Sequence, residues 1–413
     1  MKETEKVKPA RRKGRGMTLT RYVLVNVCRF ILAVTFLFSA LTKANDPVGL
    51  MIKLKDYASA LGMTDLPEYI LYSMGYGLVM TETLLGIYLF LGMRHRRRVA
   101  AFAALFMMVM TVLTVWIAVA NPVSDCGCFG DAVVLTNVQT LIKNIVLLAM
   151  AVVVYWRYKL MFRLIHKYWN WVITAPVAVM VTVLFSYTAY MLPIVDFLPF
   201  AEGTDLRETV RVGDALDQNY KVTFVYTNGT DTLELTDQDD DPDSTVWTYV
   251  ETRNQLVEDN LEAETQLFVT DSDGDDITYD ILADDGYTFV VTVPDLERAN
   301  EGCGGKFNEI YDYCMSNGYQ FYFITNPVSQ ETKDRWARNT GGKYPMCETD
   351  ERILYEMVRD NPGLMLLSDG KVLRKWSQLG LPEIDYTKPL DPQNIQELPG
   401  TRRYAAKPLR FDK

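Results

Sequence analysis

Two cysteines separated by one glycine stand in a short polar stretch between two long apolar runs. The stretch reads Asn121-Pro122-Val123-Ser124-Asp125-Cys126-Gly127-Cys128-Phe129-Gly130-Asp131. A disulfide between residues i and i+2 closes a small, strained ring, and strained disulfides are readily reduced and exchanged. Gly127 supplies the backbone freedom for the turn, and Pro122 prevents the preceding helix from continuing into it. Cys126 and Cys128 are therefore the candidate catalytic pair for thiol–disulfide exchange.

A permanent structural disulfide and a metal site are the two other interpretations of this pair. Closing so short a ring removes little entropy from the unfolded chain, which argues against a structural role. A metal site needs more ligands than two thiolates, and Asp125 and Asp131 are the acidic candidates nearby. The two histidines, His95 and His166, are predicted below to lie across the membrane. Redox exchange is favoured over both alternatives, and no metal is expected.

The two halves of the 413-residue chain differ in charge and hydropathy. Residues 1–200 carry 21 Lys+Arg against 10 Asp+Glu, a net charge of +11, whereas residues 201–413 carry 21 against 42, a net charge of −21. Each apolar run of the first half has about the 20 residues that a helix needs to cross a bilayer. The sequence therefore predicts five membrane helices, near 22–42, 69–92, 99–120, 137–156 and 171–193.

Basic residues indicate how these helices are oriented. They are concentrated in the head (1–21), in the loop after the second run and in the loop after the fourth, which marks these three segments as cytoplasmic. The Cys-Gly-Cys loop, the 44–68 loop and everything after about residue 195 then lie outside. The first run has no clear small-residue cleavage site, so it is expected to remain as an anchor. The predicted location is the bacterial cytoplasmic (inner) membrane, with a periplasmic carboxyl-terminal region.

Cysteine usage fits this orientation. Cys28 would lie within the membrane, and the other five cysteines would face an oxidising compartment, where disulfides persist. An odd number of cysteines outside predicts that at least one thiol is free or pairs transiently.

Charged side chains inside the predicted membrane helices are candidate functional residues, because charge at that depth is costly unless it is paired. The sequence predicts an ion pair between Arg29 of the first helix and Glu82 of the second. The alternative is that the two side chains are unrelated and reach the interface separately. Near the outer surface, Lys43 and Lys143 would either increase the thiolate fraction of the cysteine pair or simply neutralise nearby aspartates.

The segments FLFSALTKANDPVG, TETLLGIYLFLG and above all NPVSDCGCFGDAVVLTNVQTLIKN resemble the DoxX family, on its branch near the methylamine-utilisation protein MauE. The resemblance covers about residues 20–156. It implies a four-helix bundle similar in architecture to vitamin K epoxide reductase and the disulfide-generating quinone reductases, and a part in periplasmic thiol chemistry. It assigns the exchanging pair to Cys126 and Cys128. The four-helix domain is expected over 22–168 and an added fifth helix over 169–197.

Two extramembrane regions are expected after the fifth helix. Residues 198–285 are acidic and β-rich, and Asn228-Gly229 between VTFVYT and TLELT predicts a hairpin with a two-residue turn. The acidic run 271–276 has its glycine at the fourth rather than the sixth place and lacks a closing glutamate. It is interpreted as a solvated turn, with a calcium loop as the alternative.

Residues 286–385 alternate strands and helices and end in a hairpin, an order typical of an α/β sandwich. The region resembles the thioredoxin-like fold, with Pro362 at the place of its cis-proline and Cys303 before its first helix. The second cysteine of that fold's active site is absent, and Lys306 stands there instead. Cys303 remains a single mixed-disulfide or docking candidate, because a helix amino terminus and Lys306 would both favour its thiolate. Cys314 and Cys347 are predicted to be buried, and 386–413 to be a loosely held extension.

The leading hypothesis is a membrane thiol–disulfide exchange protein that passes electrons between envelope proteins and a membrane carrier such as quinone. The alternative is a non-enzymatic assembly or maturation subunit that docks an envelope complex through its degenerate thioredoxin-like domain. A transporter is a third interpretation, supported only by the intramembrane charges. The expected partners are a periplasmic or envelope protein client and the lipid bilayer.

Other chemistries are excluded on specific grounds. Both histidines are predicted to be cytoplasmic, so no Ser-His-Asp or Cys-His site can form outside. No glycine-rich loop follows a strand and opens a helix, as nucleotide binding requires. The acidic outer region would repel nucleic acid, and orientation explains the basic clusters.

Overall fold

The computed structural model of the protein divides into two compact units, residues 1–197 with 406–413, and residues 198–405. It describes residues 14–63, 66–92, 95–120, 127–165, 169–209, 220–227, 232–236, 248–256, 267–384, 388–390, 404–405 and 409–410. Cys126, Asp125 and His166, singled out above, lie outside these residues, as does most of 386–413.

Helices dominate the first unit, and five of them are long and apolar enough to cross a membrane. This confirms the five predicted membrane helices. The candidate spans lie in α1, α3, α4, α5 and α6, whereas α2 is short and was not predicted. The bounds are α1 Gly14–Asn45, α2 Pro47–Ala60, α3 Glu68–Leu91, α4 Arg96–Ala120, α5 Asn137–Trp156 and α6 Asn170–Tyr190.

The start of α2 follows ordinary capping chemistry. The Asp46 side chain accepts a hydrogen bond from the Gly49 amide, and Pro47 occupies the first helical position. Both are standard start signals. The sequence analysis predicts a loop at 44–68, because a 14-residue helix is too short to span a membrane and so lacks the long apolar run that marks a membrane helix.

Helix α1 is central in the bundle and packs against α3, α5 and α6, while α4 packs mainly against α5. Gly86 allows α3 to approach α1 closely: a β-carbon there would lie 2.7 Å from Leu37 Cγ. A capping box opens α5, where the Thr136 side chain accepts from the Gln139 amide and the Gln139 side chain accepts from the Thr136 amide. Helix α5 therefore restarts immediately after the cysteine loop.

Two short strands connect the cysteine loop to α5. They are β1 Cys128–Asp131 and β2 Val133–Val134, and β2 pairs in parallel with residues Leu409–Arg410. This unit also contains β3 Val195–Asp196, after α6.

The second unit begins with α7 Leu206–Thr209 and a three-stranded sheet. Strands β4 and β5 pair antiparallel, which confirms the predicted hairpin, while its Asn228-Gly229 turn lies outside the described residues. Strand β6 pairs antiparallel with the other edge of β4. The bounds are β4 Tyr220–Thr227, β5 Thr232–Thr236 and β6 Thr248–Leu256.

A five-stranded mixed sheet with flanking helices forms the rest of this unit. The strand order is β11-β10-β7-β8-β9, in which β7, β8 and β9 are parallel, β10 runs antiparallel to β7, and β11 runs antiparallel to β10. The bounds are α8 Thr278–Ala283, β7 Tyr287–Val293, α9 Gly304–Asn317, β8 Gln320–Thr325, α10 Gln330–Thr340, β9 Met346–Glu348, α11 Glu351–Met357, β10 Gly363–Ser368 and β11 Lys371–Ser377. The remaining short strands are β12 Tyr404–Ala405 and β13 Leu409–Arg410.

The Asn361-Pro362 bond immediately before β10 is cis, as predicted. A strand-helix-strand unit followed by an antiparallel hairpin, with a cis-proline at the start of that hairpin, is the thioredoxin-like arrangement. The fold class of the sequence analysis, a membrane helical bundle joined to a thioredoxin-like region, is therefore confirmed.

The acidic run 271–276 forms an exposed turn, as interpreted from the sequence. The Asp271 carboxylate accepts hydrogen bonds from the amides of Asp273 and Asp275, and the Asp271 amide donates to the Asp275 carbonyl. The carboxylate thus organises the turn backbone itself.

Candidate functional site

The backbone carbonyl of Cys128 is held by two side chains of α1. Ser39 Oγ donates to it at 2.8 Å and Lys43 Nζ donates to it at 2.8 Å. Lys43 Nζ also lies 2.5 Å from Ser39 Oγ, 2.8 Å from Glu82 Oε1 and 3.0 Å from Glu82 Oε2. We call Ser39, Lys43 and Glu82 the carbonyl clamp. It fixes one residue of the predicted cysteine pair to two membrane helices.

Helix spacing explains how the clamp forms. Ser39 and Lys43 are four residues apart, so they lie on one face of α1, and Glu82 reaches them from α3. Ser39, Lys43 and Glu82 are 5%, 3% and 2% exposed. A buried ammonium and a buried carboxylate are tolerated only when they pair and when hydrogen bonds satisfy their remaining valences. The Cys128 carbonyl and the Ser39 hydroxyl supply those bonds.

The predicted Arg29–Glu82 ion pair is wrong, because the partner of Glu82 is Lys43. Glu82 and Lys43 lie together at the end of the bundle that holds the cysteine loop, whereas Arg29 lies at the other end. The two roles expected of Lys43, an increase in the thiolate fraction of the cysteines or neutralisation of nearby aspartates, stay predictions beside this pairing with Glu82.

Arg29 instead holds the segment that follows α5. Its Nη1 donates to the Phe162 carbonyl at 2.6 Å and its Nη2 to the Phe90 carbonyl at 3.4 Å. The guanidinium carbon also lies 4.5 Å from the ring centroids of both Phe30 and Phe162. The side chain is fully buried, so it does not reach the interface as the alternative interpretation required. Arg29 stabilises the bundle end opposite the clamp.

Replacing Arg29 with methionine should lower the free energy of unfolding of the membrane unit by about 1–3 kcal/mol, because it leaves buried carbonyl groups without a donor. Thermal unfolding of the full chain in detergent measures the effect. The control is Arg21→Met, the same change at an exposed position of α1, which should shift the midpoint little. Equal shifts in both variants would contradict this role of Arg29.

The described part of the cysteine loop is tightly turned. Gly127 has φ +60°, the left-handed region that glycine occupies without strain, and a β-carbon there would lie 3.3 Å from Lys53 Cγ of α2. Cys128 itself is half-buried. The predicted need for glycine between the two cysteines is confirmed.

Phe129 anchors the other side of Cys128. Its ring packs against that of Phe38 on α1 with centroids 5.5 Å apart, and Lys143 Nζ of α5 lies 4.0 Å from its centroid. Lys143 thus reaches the cysteine loop through a cation–π contact with the residue next to Cys128. Its predicted effect on the thiols remains a prediction.

Cys303 lies in a polar network at the amino terminus of α9. Its thiol contacts the Gln378 carbonyl oxygen at 4.0 Å, and the Gln378 amide side chain bonds Asn300 at 2.8 Å and the Asp360 carboxylate at 2.9 Å. Asp360 also accepts from the backbone amides of Gln378 and Asn361, each at 2.8 Å. Asp360 and Gln378 were not foreseen, because they approach Cys303 only when the strands assemble.

The expectation that Cys303 favours its thiolate is wrong. Burial raises the pKa of the Cys303 thiol, and the nearby Asp360 carboxylate raises it further, while Lys306 lowers it. Lys306 therefore acts in the predicted direction, but desolvation of a side chain that is only 8% exposed outweighs it. A thiol with a raised pKa is a poor nucleophile at neutral pH.

Alkylation of Cys303 by iodoacetamide should therefore be slow at pH 7 and should rise about tenfold per pH unit until the pH passes the raised pKa. Asp360→Asn should speed the reaction at pH 8, because it removes a negative charge, and Lys306→Gln should slow it. Mass spectrometry of the Cys303 peptide from the intact chain gives the rates. Fast alkylation at pH 7 would contradict the assignment.

Cys314 and Cys347 are buried, as predicted, at 0% and 3% exposure. Burial raises their pKa values to about 12 and about 11. Among the described residues no group of three or more His, Cys, Asp or Glu side chains is placed to hold a metal ion.

The family model described as "Methylamine utilisation protein MauE" matches residues 21–157. This range contains the carbonyl clamp and the Cys-Gly-Cys loop. No curated protein matches the chain.

Two solved structures resemble the second unit. One is the thioredoxin domain of a thiol-disulfide oxidoreductase from Bacteroides vulgatus, 12% identical, covering 26% of this chain and 81% of that chain, with a TM-score of 0.22. The other, from Bacteroides thetaiotaomicron, carries the provisional name protein disulfide isomerase; it is 14% identical, covers 32% of this chain and 82% of that chain, and has a TM-score of 0.24. At these scores they add no weight to the fold assignment, which depends on the strand order and the cis-proline.

Proposed function

We propose that this multi-pass membrane protein, whose residues 21–157 match the MauE family model, exchanges disulfides with envelope proteins through Cys126 and Cys128. The carbonyl clamp carries the proposal. Two buried side chains, Ser39 and Lys43, donate to the backbone carbonyl of one cysteine of the pair, and buried Glu82 pairs with Lys43, at a cost in desolvation that helix packing alone does not require. Thiol–disulfide exchange requires the attacking sulfur to lie in line with the two sulfurs of the disulfide, so a catalytic cysteine pair must be held in a fixed geometry.

The chemistry balances with a client dithiol and a quinone. A client thiolate attacks one sulfur of the Cys126–Cys128 disulfide, and the other sulfur leaves as a thiolate. The second client thiolate then attacks the client sulfur of the mixed disulfide, and the cysteine of the pair leaves as a thiolate. The client is released with a disulfide, and Cys126 and Cys128 are left as a dithiol. A membrane quinone takes two electrons and two protons from that dithiol and restores the disulfide. The reverse sequence reduces a client.

The proposal includes an orientation and a division of labour. The basic head and basic loops support a cytoplasmic amino terminus, which would put the cysteine loop and the second unit in the periplasm. The acidic β-rich segment and the thioredoxin-like region would then position the client. Alkylation of intact cells with a membrane-impermeant maleimide should label Cys128 if this orientation is correct.

A trapping experiment tests the exchange. In Cys128→Ser, a client captured on Cys126 has no neighbouring thiol to release it, and Cys126→Ser should trap clients on Cys128 if that residue attacks first. Non-reducing gels of both variants should show covalent complexes that dithiothreitol dissolves. The control is the doubly substituted protein. The absence of complexes from both single variants, under oxidising and reducing growth alike, would refute exchange.

A second function, docking without redox chemistry, is favoured by a separate observation. The thioredoxin-like region keeps its sheet and cis-proline. Its Cys303, however, is buried and has a raised pKa, and Lys306 occupies the sequence position of the second active-site cysteine. A binding surface can persist when catalysis is lost. On this alternative the protein assembles an envelope complex, and Cys126 and Cys128 are dispensable.

A further inference from the structure

An elongated groove runs between α3 and α4 on the side of the helix bundle that would face lipid. Its cavity volume is about 550 Å³, within the range of about 300–1,000 Å³ that is usual for small-molecule sites. His95 and Arg98 lie at one end of the groove, and the rest of the lining is almost entirely apolar. The lining residues are Thr81, Leu84, Leu85, Tyr88, His95, Arg98, Val99, Phe102, Leu105, Phe106 and Val109.

Helix packing explains why the groove exists. Gly86 allows α3 to pack closely against α1, because a side chain there would clash with Leu37. Helix α4 packs chiefly against α5. Helices α3 and α4 are therefore held by different neighbours. The space between them is open toward the surrounding lipid rather than filled by side chains.

The groove has the polarity and length of one bilayer leaflet. From His95, immediately before α4, to Val109 there are 14 residue steps, or about 21 Å at 1.5 Å per step. Half of the hydrocarbon core is about 15 Å, and the remainder fits the headgroup region. His95 and Arg98 lie at the start of α4, where a membrane-spanning helix would meet the headgroups, and both are exposed. Phe102, Leu105 and Val109 continue toward the bilayer centre.

We propose that this groove binds an acidic phospholipid, with its phosphate at Arg98 and His95 and one acyl chain along α3 and α4. The guanidinium offers forked donors that match phosphate oxygens, and the imidazole offers a further N–H. The apolar wall then accepts the chain. Charge complementarity selects this occupant, because a neutral quinone or an apolar helix of a second copy would leave the two polar side chains without an anion.

Native mass spectrometry of the full chain in neutral detergent measures the site directly. The probes are dioleoylphosphatidylglycerol, which is acidic, and dioleoylphosphatidylcholine, which is zwitterionic. Arg98→Gln should weaken phosphatidylglycerol binding by roughly fivefold, the effect of one cation near a lipid headgroup. The matched control is Arg97→Gln, because Arg97 is exposed on the same turn but does not line the groove. It should change binding less than twofold.

A second variant tests the chain-binding part of the groove. Leu84→Trp places a larger side chain where the acyl chain lies and should weaken phosphatidylglycerol binding while leaving the thermal midpoint of the lipid-free protein within a few degrees. Equal losses in Arg97→Gln and Arg98→Gln, or equal affinity for the two lipids, would overturn the proposal. So would displacement of the lipid by ubiquinone with an affinity that Arg98→Gln does not change, or a protein dimer that Leu84→Trp dissociates.

Discussion

Replacing Lys43 with methionine should destabilise the membrane unit by about 3–5 kcal/mol, because it leaves the Glu82 carboxylate buried without its counter-ion. Glu82 is 2% exposed, and both of its carboxylate oxygens accept hydrogen bonds from Lys43 Nζ, at 2.8 and 3.0 Å. The same change removes one of the two donors to the Cys128 carbonyl. Thermal unfolding in detergent and the amount of protein retained in membranes measure the loss.

The double variant Lys43→Met, Glu82→Leu separates stability from positioning. With both charges of the pair gone, neither side chain is left as an uncompensated buried charge, and most of the lost stability should return. The Cys128 carbonyl would still lack the ammonium donor. The double variant should therefore be folded yet yield fewer trapped complexes when it is combined with Cys128→Ser. Full trapping in a stable double variant would show that the clamp only supports the fold.

Substituting serine for both Cys126 and Cys128 should abolish disulfide exchange, whereas Cys303→Ser should retain most of it. The reason is that exchange requires a sulfur nucleophile, and burial and Asp360 make Cys303 a weak one. The measurement is the redox state of envelope thiols, followed by alkylation-shift gels in cells that carry each variant in place of the natural protein.

The same variants distinguish the two proposed functions. If the doubly substituted protein supports full biological activity, docking is the function and exchange is refuted. If Cys303→Ser is as defective as the doubly substituted protein, the thioredoxin-like region takes part in the chemistry, which its buried thiol argues against. Cys314→Ser is the control for packing, because Cys314 is fully buried in the same region.

Much of the architecture could be predicted from local sequence patterns. Five apolar runs of spanning length gave five helices, and the Thr136–Gln139 capping box gave the start of α5. Period, length and capping depend on neighbours within a few residues, so the sequence contains them directly. Helix α2 was missed because a short helix against the bundle has no membrane-length signal.

The candidate site was only half predictable. The Cys-Gly-Cys spacing and the left-handed Gly127 follow from the order of residues along the chain. The choice of partner for Glu82 does not, because Arg29, Lys43 and Lys143 are all cations within the bundle and only helix packing decides which ammonium or guanidinium comes within 3 Å of it.

The sequence by itself therefore determined the membrane helices, the thioredoxin-like order with its cis-proline, and the spacing of the cysteine pair. Only the tertiary structure decided that Lys43 binds both Glu82 and the Cys128 carbonyl, that Arg29 stabilises the opposite end, and that Asp360 lies near Cys303. The physical reason is range. Helix formation, turns and strand periodicity are set by neighbours in the chain, whereas burial and the electrostatic surroundings of a side chain depend on residues brought together from distant positions.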